Sequence, residues 1–443
     1  MKKMTEGPIV RQLLVVSGPI LLGQLLQQLY NIVDTMIVGR YLGVNALAAV
    51  GSTWALNYIV KDFCIGTCMG IGVPLSQAYG AGDQHKLRCC FINSIYFVIG
   101  LAVCFTVMAS SMSRQFLIWL QTPEAILKAA NEYLFIIFLG LPCTIIYNFC
   151  FGVLMAFGDS RRTSLYMAVS TVINLILDIW FVAGLHMGVS GAALATVISE
   201  LVAGFCSVLY IVRKYPKLFP KQSEWKFSLK YFNIIIKMSV PMGLQYSVTA
   251  IGALILQYSV NHLGEEAVAA YSTGSKVKGL LLCPLNALGT ALSSYSGQNF
   301  GAGKIDRIKS GVLNSCLLGT AYSAMMIIVS IFASEPIALL FLDSENTQVI
   351  FYVKEFIIWI SVFLVELNVL FMVRYTVQGM GYGRYSIYSA FAEMLGRSFM
   401  AVFVIPRYGF RAVCISEGIT FLAGILVIVP IYFYLIKKYC QAV

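Results

Sequence analysis

Apolar residues dominate the chain in runs of roughly 17–25, the length that crosses a bilayer as a helix. Twelve such runs cover 13–38, 46–75, 91–112, 126–152, 164–184, 190–212, 232–261, 267–296, 312–333, 347–374, 386–405 and 412–436. They are spans 1 to 12 below. An even number of spans places both termini on one side. The one long polar stretch, RKYPKLFPKQSEWKFSLK at 213–230, reads as a linker near the midpoint. The expected organisation is a six-span lobe over 1–212, a linker over 213–231 and a second six-span lobe over 232–443.

The two halves repeat. QAYGAGD at 77–83 matches QNFGAGK at 298–304, 221 positions on. At that offset ALAAV (46–50) matches AVAAY (267–271), and Leu42-Gly43 matches Leu263-Gly264. Ser17-x-Pro19 matches Ser239-x-Pro241 within one residue of the register. Because six spans separate the repeats, the halves share orientation. The predicted fold is an all-α polytopic membrane protein of twelve transmembrane helices. Its two homologous six-helix bundles are related by a pseudo-two-fold axis along the membrane normal, with a cavity between them.

Composition agrees. The chain is 59% hydrophobic and 12% charged, with a mean hydropathy of +0.80, whereas soluble domains carry about a quarter charged residues. The twelve cysteines lie mostly in apolar runs, where a free thiol packs as a small hydrophobe. His85, His186 and His262 are scattered and give no zinc-ligand spacing. MKKM and Arg11 precede an apolar run reaching Val38 with no small-residue cleavage site, so the first span is expected to be retained.

Lys and Arg crowd the connections after even-numbered spans (Lys86, Arg88, Arg161, Arg162, Lys304, Arg307) and both termini. The positive-inside rule therefore puts the termini in the cytoplasm of a cell that holds the chain in its plasma membrane. The net charge of +11 is accounted for by this pattern and by anionic lipid, and it does not argue for nucleic acid. GAGD (80–83) and GAGK (301–304) lack the Gly-Lys-Ser/Thr ending of a phosphate loop. With no ATP site, uphill transport would draw on an ion gradient.

Chemistry is concentrated in the first half. Gln24, Gln27, Gln28, Asn31, Asp34 and Thr35 share one face of span 1, and Tyr30 stands one turn before Asp34. Such a stripe cannot face lipid. Its amides could simply join helices, but an intramembrane carboxylate marks an ion pathway. In span 5, Asn174 and Asp178 lie one turn apart and point the same way. Span 6 adds Thr196. These oxygen ligands suit a small cation such as Na⁺, and two neighbouring carboxylates would equally share a proton.

YNIVDTMIVGRYLG with ALAAVG, the two Gln-x-x-Gly-Ala-Gly turns, QTPEAILKAANEYL, NLILD and GVSGAALATVISE resemble the multidrug and toxic compound extrusion (MATE) transporters over essentially the whole chain. The resemblance implies a V-shaped pair of bundles that exports organic cations and drugs in exchange for H⁺ or Na⁺. It places Asp34, Asn174, Asp178 and Thr196 at the cation site of the first half. It puts Gln27, Tyr30, Asn31 and Asn148 on the drug-facing cavity, with Met36 and Met155 nearby.

The second half departs from that pattern. Span 7 carries Gln245 and Gln257 where one branch of the family has an acidic residue, and the position matching Asp34 is Ile255. Glu366 in span 10 is a secondary candidate. Glu393 and Arg397, four apart in span 11, are expected to pair with each other. Lys61 and Asp62 are adjacent and must point apart; either could reach the cavity. Glu200 and Glu417 lie in spans 6 and 12.

The expected function is a cation-coupled multidrug antiporter, a monomer working by alternating access without cofactor or ATP. The competing reading is a lipid-linked precursor or polysaccharide flippase of the same superfamily, which would need a strongly basic cavity. Here Lys61 and Arg397 are the intramembrane cations, outnumbered by carboxylates. A membrane enzyme would need a His, Ser or metal constellation at membrane depth, and none is visible.

Overall fold

The computed structural model describes residues 3–219, 225–342 and 346–441. The centre of the expected linker, 220–224, lies outside the described residues. Among the described residues, ten helices are long and apolar enough to cross a membrane. Span 4 forms an eleventh as a bent pair, Glu124–Leu139 and Leu141–Ala156, meeting at 46°. The sequence pattern gave span 4 as one continuous run. It breaks because Pro142 supplies no N–H to the preceding turn. Span 8, the helix Glu265–Gly301, is long enough but less apolar, since its final turns are buried between neighbouring helices instead of facing lipid.

The duplication is written into the backbone. Spans 1 and 2 run as Ile9–Ala81 with one break, at Gly43 (φ 81, ψ −178). Gly264, 221 positions on, has φ 99 and ψ 173 at the same point between spans 7 and 8. That region of backbone space is essentially closed to residues with a side chain. Gly82 and Gly303, and Gly188 and Gly409, repeat as positive-φ turns at the same offset. Spans 5 and 11 both end in a π-helical turn, Ile179–Gly184 and Met400–Val404, again 221 apart.

One apolar core lies in the first lobe around Phe138, Leu141 and Ile145 and one in the second around Val353, Phe356 and Val413, while a third, around Tyr295, Leu364 and Leu370, also takes in Leu13, Ile20 and Met155 of the first lobe. The lobes meet most tightly where spans 2 and 8 end. A Cβ on Gly80 would stand 2.0 Å from the Gln298 carbonyl oxygen, and one on Gly301 would stand 2.0 Å from that of Gln77. The amide of Gln77 donates across the interface to the Gly379 carbonyl (3.1 Å), and that of Gln298 donates back to Ala156 (2.9 Å). The repeated Gln-x-x-Gly is therefore a reciprocal lock. The amino-terminal peptide lies over it: the Met4 N–H donates to Gln298 Oε1 (2.8 Å), and Asn299 Nδ2 donates to the Met4 carbonyl (3.1 Å).

Filling this crossing is expected to be costly. Gly80→Ala and Gly301→Ala should each lose about 1–3 kcal/mol, whereas Gly100→Ala, which meets nothing within 4 Å, should lose none. Thermal unfolding in detergent checks this; equal midpoints for all three would contradict the close crossing.

Candidate functional site

The stripe on span 1 divides between two surroundings. Gln27, Tyr30, Asn31 and Asp34 line a cavity of about 200 Å³ inside the first lobe, together with Asn57 and Lys61 of span 2, Tyr133 of span 4, Asn174 of span 5 and Thr196 and Glu200 of span 6. Gln28 points elsewhere, against Gly279 of span 8 in the other lobe. The side chains of Thr35 and Met36 lie outside the described residues.

Asp34, on the cavity wall, lies beside Asp178 of span 5. Asp178 is fully buried and Asn174 nearly so. Tyr30 lies against both carboxyl groups and against Thr196. Neither Asp178 oxygen, nor Asn174 Nδ2, has a partner in full hydrogen-bond geometry, although Asp34 and Tyr30 stand beside Asp178. The Thr196 hydroxyl donates to Ala192 (3.1 Å) and keeps an oxygen lone pair for the cavity. Ile37, Val182 and Ala192, with Leu175 and Tyr133, form an apolar plug nearby. Asp178 is the last α-helical residue before the π-turn of span 5, a local geometry common at functional sites. Asn148 does not line this cavity; its amide donates to the Thr144 carbonyl (2.8 Å), and the neighbouring Tyr147 lines the wall instead.

The other wall is an ion pair that sequence reasoning missed. Lys61 Nζ is 2.7 Å from Glu200, which also accepts from the Thr144 hydroxyl. The second lobe repeats it as Lys278 and Glu417. Both members sit one helical turn earlier than an offset of 221 would place them, so the pair is displaced intact. The signal was present: Ile198-Ser199-Glu200 recurs as Ile415-Ser416-Glu417.

The expected Glu393–Arg397 pair does not form. Glu393 pairs with Arg374 of span 10 at 2.8 Å, and Arg397 faces Glu417 of span 12 at 3.8 Å. All four are buried, and at membrane depth each charge needs the partner that best replaces water. Neighbouring helices supply it better than the next turn of the same helix. Lys278 and Arg374 thus join Lys61 and Arg397 as intramembrane cations, and they gather in the second lobe. Glu366 stands apart from this network, half-buried, with its Oε2 atom unpartnered among the described residues. No group of three His, Cys, Asp or Glu among the described residues could hold a metal ion.

Comparison with known proteins agrees with this architecture. The family profile described as MatE matches residues 19–180 and 241–403. The chain is 31% identical over 307 residues to the "Probable multidrug resistance protein YpnP" of Bacillus subtilis, covering 69% of this chain and 68% of the relative. It is 25% identical over 357 residues to the "FAD transporter" of Shewanella oneidensis, covering 80% and 78%. A solved structure described as "Outward-facing conformation of a multidrug resistance MATE family transporter of the MOP superfamily" superimposes with a TM-score of 0.92 at 22% identity, over 100% of this chain and 99% of that one.

The buried Arg374–Glu393 pair makes a direct stability test. Glu393→Gln leaves a buried guanidinium unpaired and should cost about 3–5 kcal/mol, whereas Arg374→Met with Glu393→Met should recover most of that loss. Chemical or thermal unfolding of the purified protein checks the difference.

Proposed function

Because the chain belongs to the MATE family of multidrug efflux transporters, and because its paired carboxylates stand in one lobe only, we propose that it exchanges H⁺ or Na⁺ for organic cations by alternating access. The observation that carries this reading is the Asp34–Asp178 pair beside a polar cavity. Charges placed there must be neutralised. A proton shared by the pair does so; so does Na⁺ held by both carboxylates, the Asn174 amide oxygen and the Thr196 hydroxyl. The unpartnered oxygens of Asp178 suit either occupant.

The moving units in this reading are the halves 1–212 and 232–443, joined by 213–231. The basic connections and termini face the cytoplasm of a plasma membrane. The ion biases the lobes only by its different affinity for the two arrangements. Binding that neutralises the pair favours one packing of spans 1, 5 and 6, and the cargo is released as the lobes reorganise. The relative named as an FAD transporter sets the competing cargo, an anionic dinucleotide. Polarity favours a cation here: among the described residues, Asp34 and Glu200 line the first-lobe cavity against Lys61, with Asp178 beside Asp34. In the second lobe, Lys278, Arg374 and Arg397 are committed to Glu393 and Glu417.

Proteoliposomes loaded with a fluorescent organic cation test the proposal under an imposed pH or Na⁺ gradient, each alone. One gradient should drive efflux, and Asp34→Asn and Asp178→Asn should each reduce it at least about tenfold, with Glu366→Gln near wild type. Efflux that ignores both gradients would sink the antiport reading.

A further inference from the structure

Lys61 and Asp62 are adjacent on span 2, and the helix turns them to different places. Lys61 enters the first-lobe cavity and is taken by Glu200. Asp62 instead stands one turn before Gly66, which packs against the ring of Tyr246 of span 7 in the other lobe, and one turn after Tyr58 on its own helix. It is half-buried and forms no salt bridge among the described residues.

Trp54, Tyr58 and Asp62 are spaced four apart, so they form one stripe on span 2. The two rings pack at 4.6 Å between centroids, yet Trp54 remains 46% and Tyr58 43% exposed. The same face continues to Met69, which with Met155, Met242, Tyr246 and Tyr375 lines a small cavity between the lobes. The stripe therefore borders the gap between the lobes, not the lobe interior that holds Asp34. The equivalent positions of span 8 are Ser275, Gly279 and Cys283, with neither ring nor charge.

We propose that Trp54, Tyr58 and Asp62 form the subsite that takes the charged end of an aromatic organic cation. Aromatic faces attract a weakly hydrated cation, most strongly where water is thinned, and the carboxylate one turn on supplies the opposite charge. The methionines and tyrosines beyond it offer an adaptable apolar bed for the rest of the molecule. This site is separate from the coupling pair, so cargo and ion bind to different faces of the first lobe. The inference rests on the antiport reading for transport but not for binding.

Ethidium, a fluorescent aromatic cation, is the probe, titrated into purified protein in detergent and also followed in proteoliposomes. Asp62→Asn should weaken ethidium binding about tenfold or more, Asp62→Glu should retain it, and Tyr58→Leu should weaken it several-fold. In transport, Asp62→Asn should raise the KM for ethidium while leaving the dependence on the driving ion unchanged. Wild-type binding with no gradient-driven movement would overturn the antiport reading and leave the subsite standing. Equal binding by wild type, Asp62→Asn and Tyr58→Leu overturns the subsite, as does tighter binding of an anionic dye than of ethidium by wild type.

Discussion

Spans 2 and 8 cross so closely at Gly80 and Gly301 that only hydrogen fits between the backbones, and everything else is arranged around that crossing. Gln77 and Gln298 turn the contact into a pair of reciprocal hydrogen bonds, each reaching a carbonyl at the end of the other lobe's fourth helix. Lost in isolation, such a bond is modest, about 1 kcal/mol net. Here the two share one geometry and leave buried amides without partners if the lobes part. The cost of separation is therefore concentrated at one end of the molecule. The alternating access proposed for this chain would call for such a localised barrier, one that a ligand of a few kcal/mol differential affinity can tip.

Around this symmetric lock the two lobes have diverged in charge. Both keep a Lys–Glu pair between corresponding helices, shifted by one turn and otherwise intact. The first lobe adds carboxylates, Asp34 and Asp178, around a polar cavity. The second adds guanidinium groups, Arg374 and Arg397, and sets them against Glu393 and Glu417. The same backbone thus carries a polar cavity with neighbouring carboxylates in one half and a cross-linked network in the other.

Much of this was legible in the sequence. The repeat at 221 singled out QAYGAGD and QNFGAGK, where the structure places the lock, and the pair Gly43 and Gly264, because turns and close approaches restrict which residues can stand there. The polar face of span 1 followed from helical period alone, and Asn174 with Asp178 from their one-turn spacing. Pairing between helices was less legible. Glu393 and Arg397 fitted a local rule, but burial rewarded partners on spans 10 and 12 that no single-helix pattern contains. Lys278 and Glu417 escaped because the repeat was followed at one offset, while the pair had slipped by a turn. Whether Lys61 or Asp62 faced the cavity depended on how span 2 is rotated against span 7. That rotation is fixed by Gly66 and Gly70 lying against Met242 and Ser239, a matter of packing between distant segments.

The ion-pair network of the second lobe has a mechanical consequence. Lys278, Arg374, Glu393, Arg397 and Glu417 tie spans 8, 10, 11 and 12 together through buried contacts, whereas the first lobe holds a cavity where its counterpart is braced. One half is therefore more heavily cross-linked by buried charge than the other. In the exchange proposed above, ion entry would act on the cavity-bearing half, with the braced half as the fixed body against which it moves.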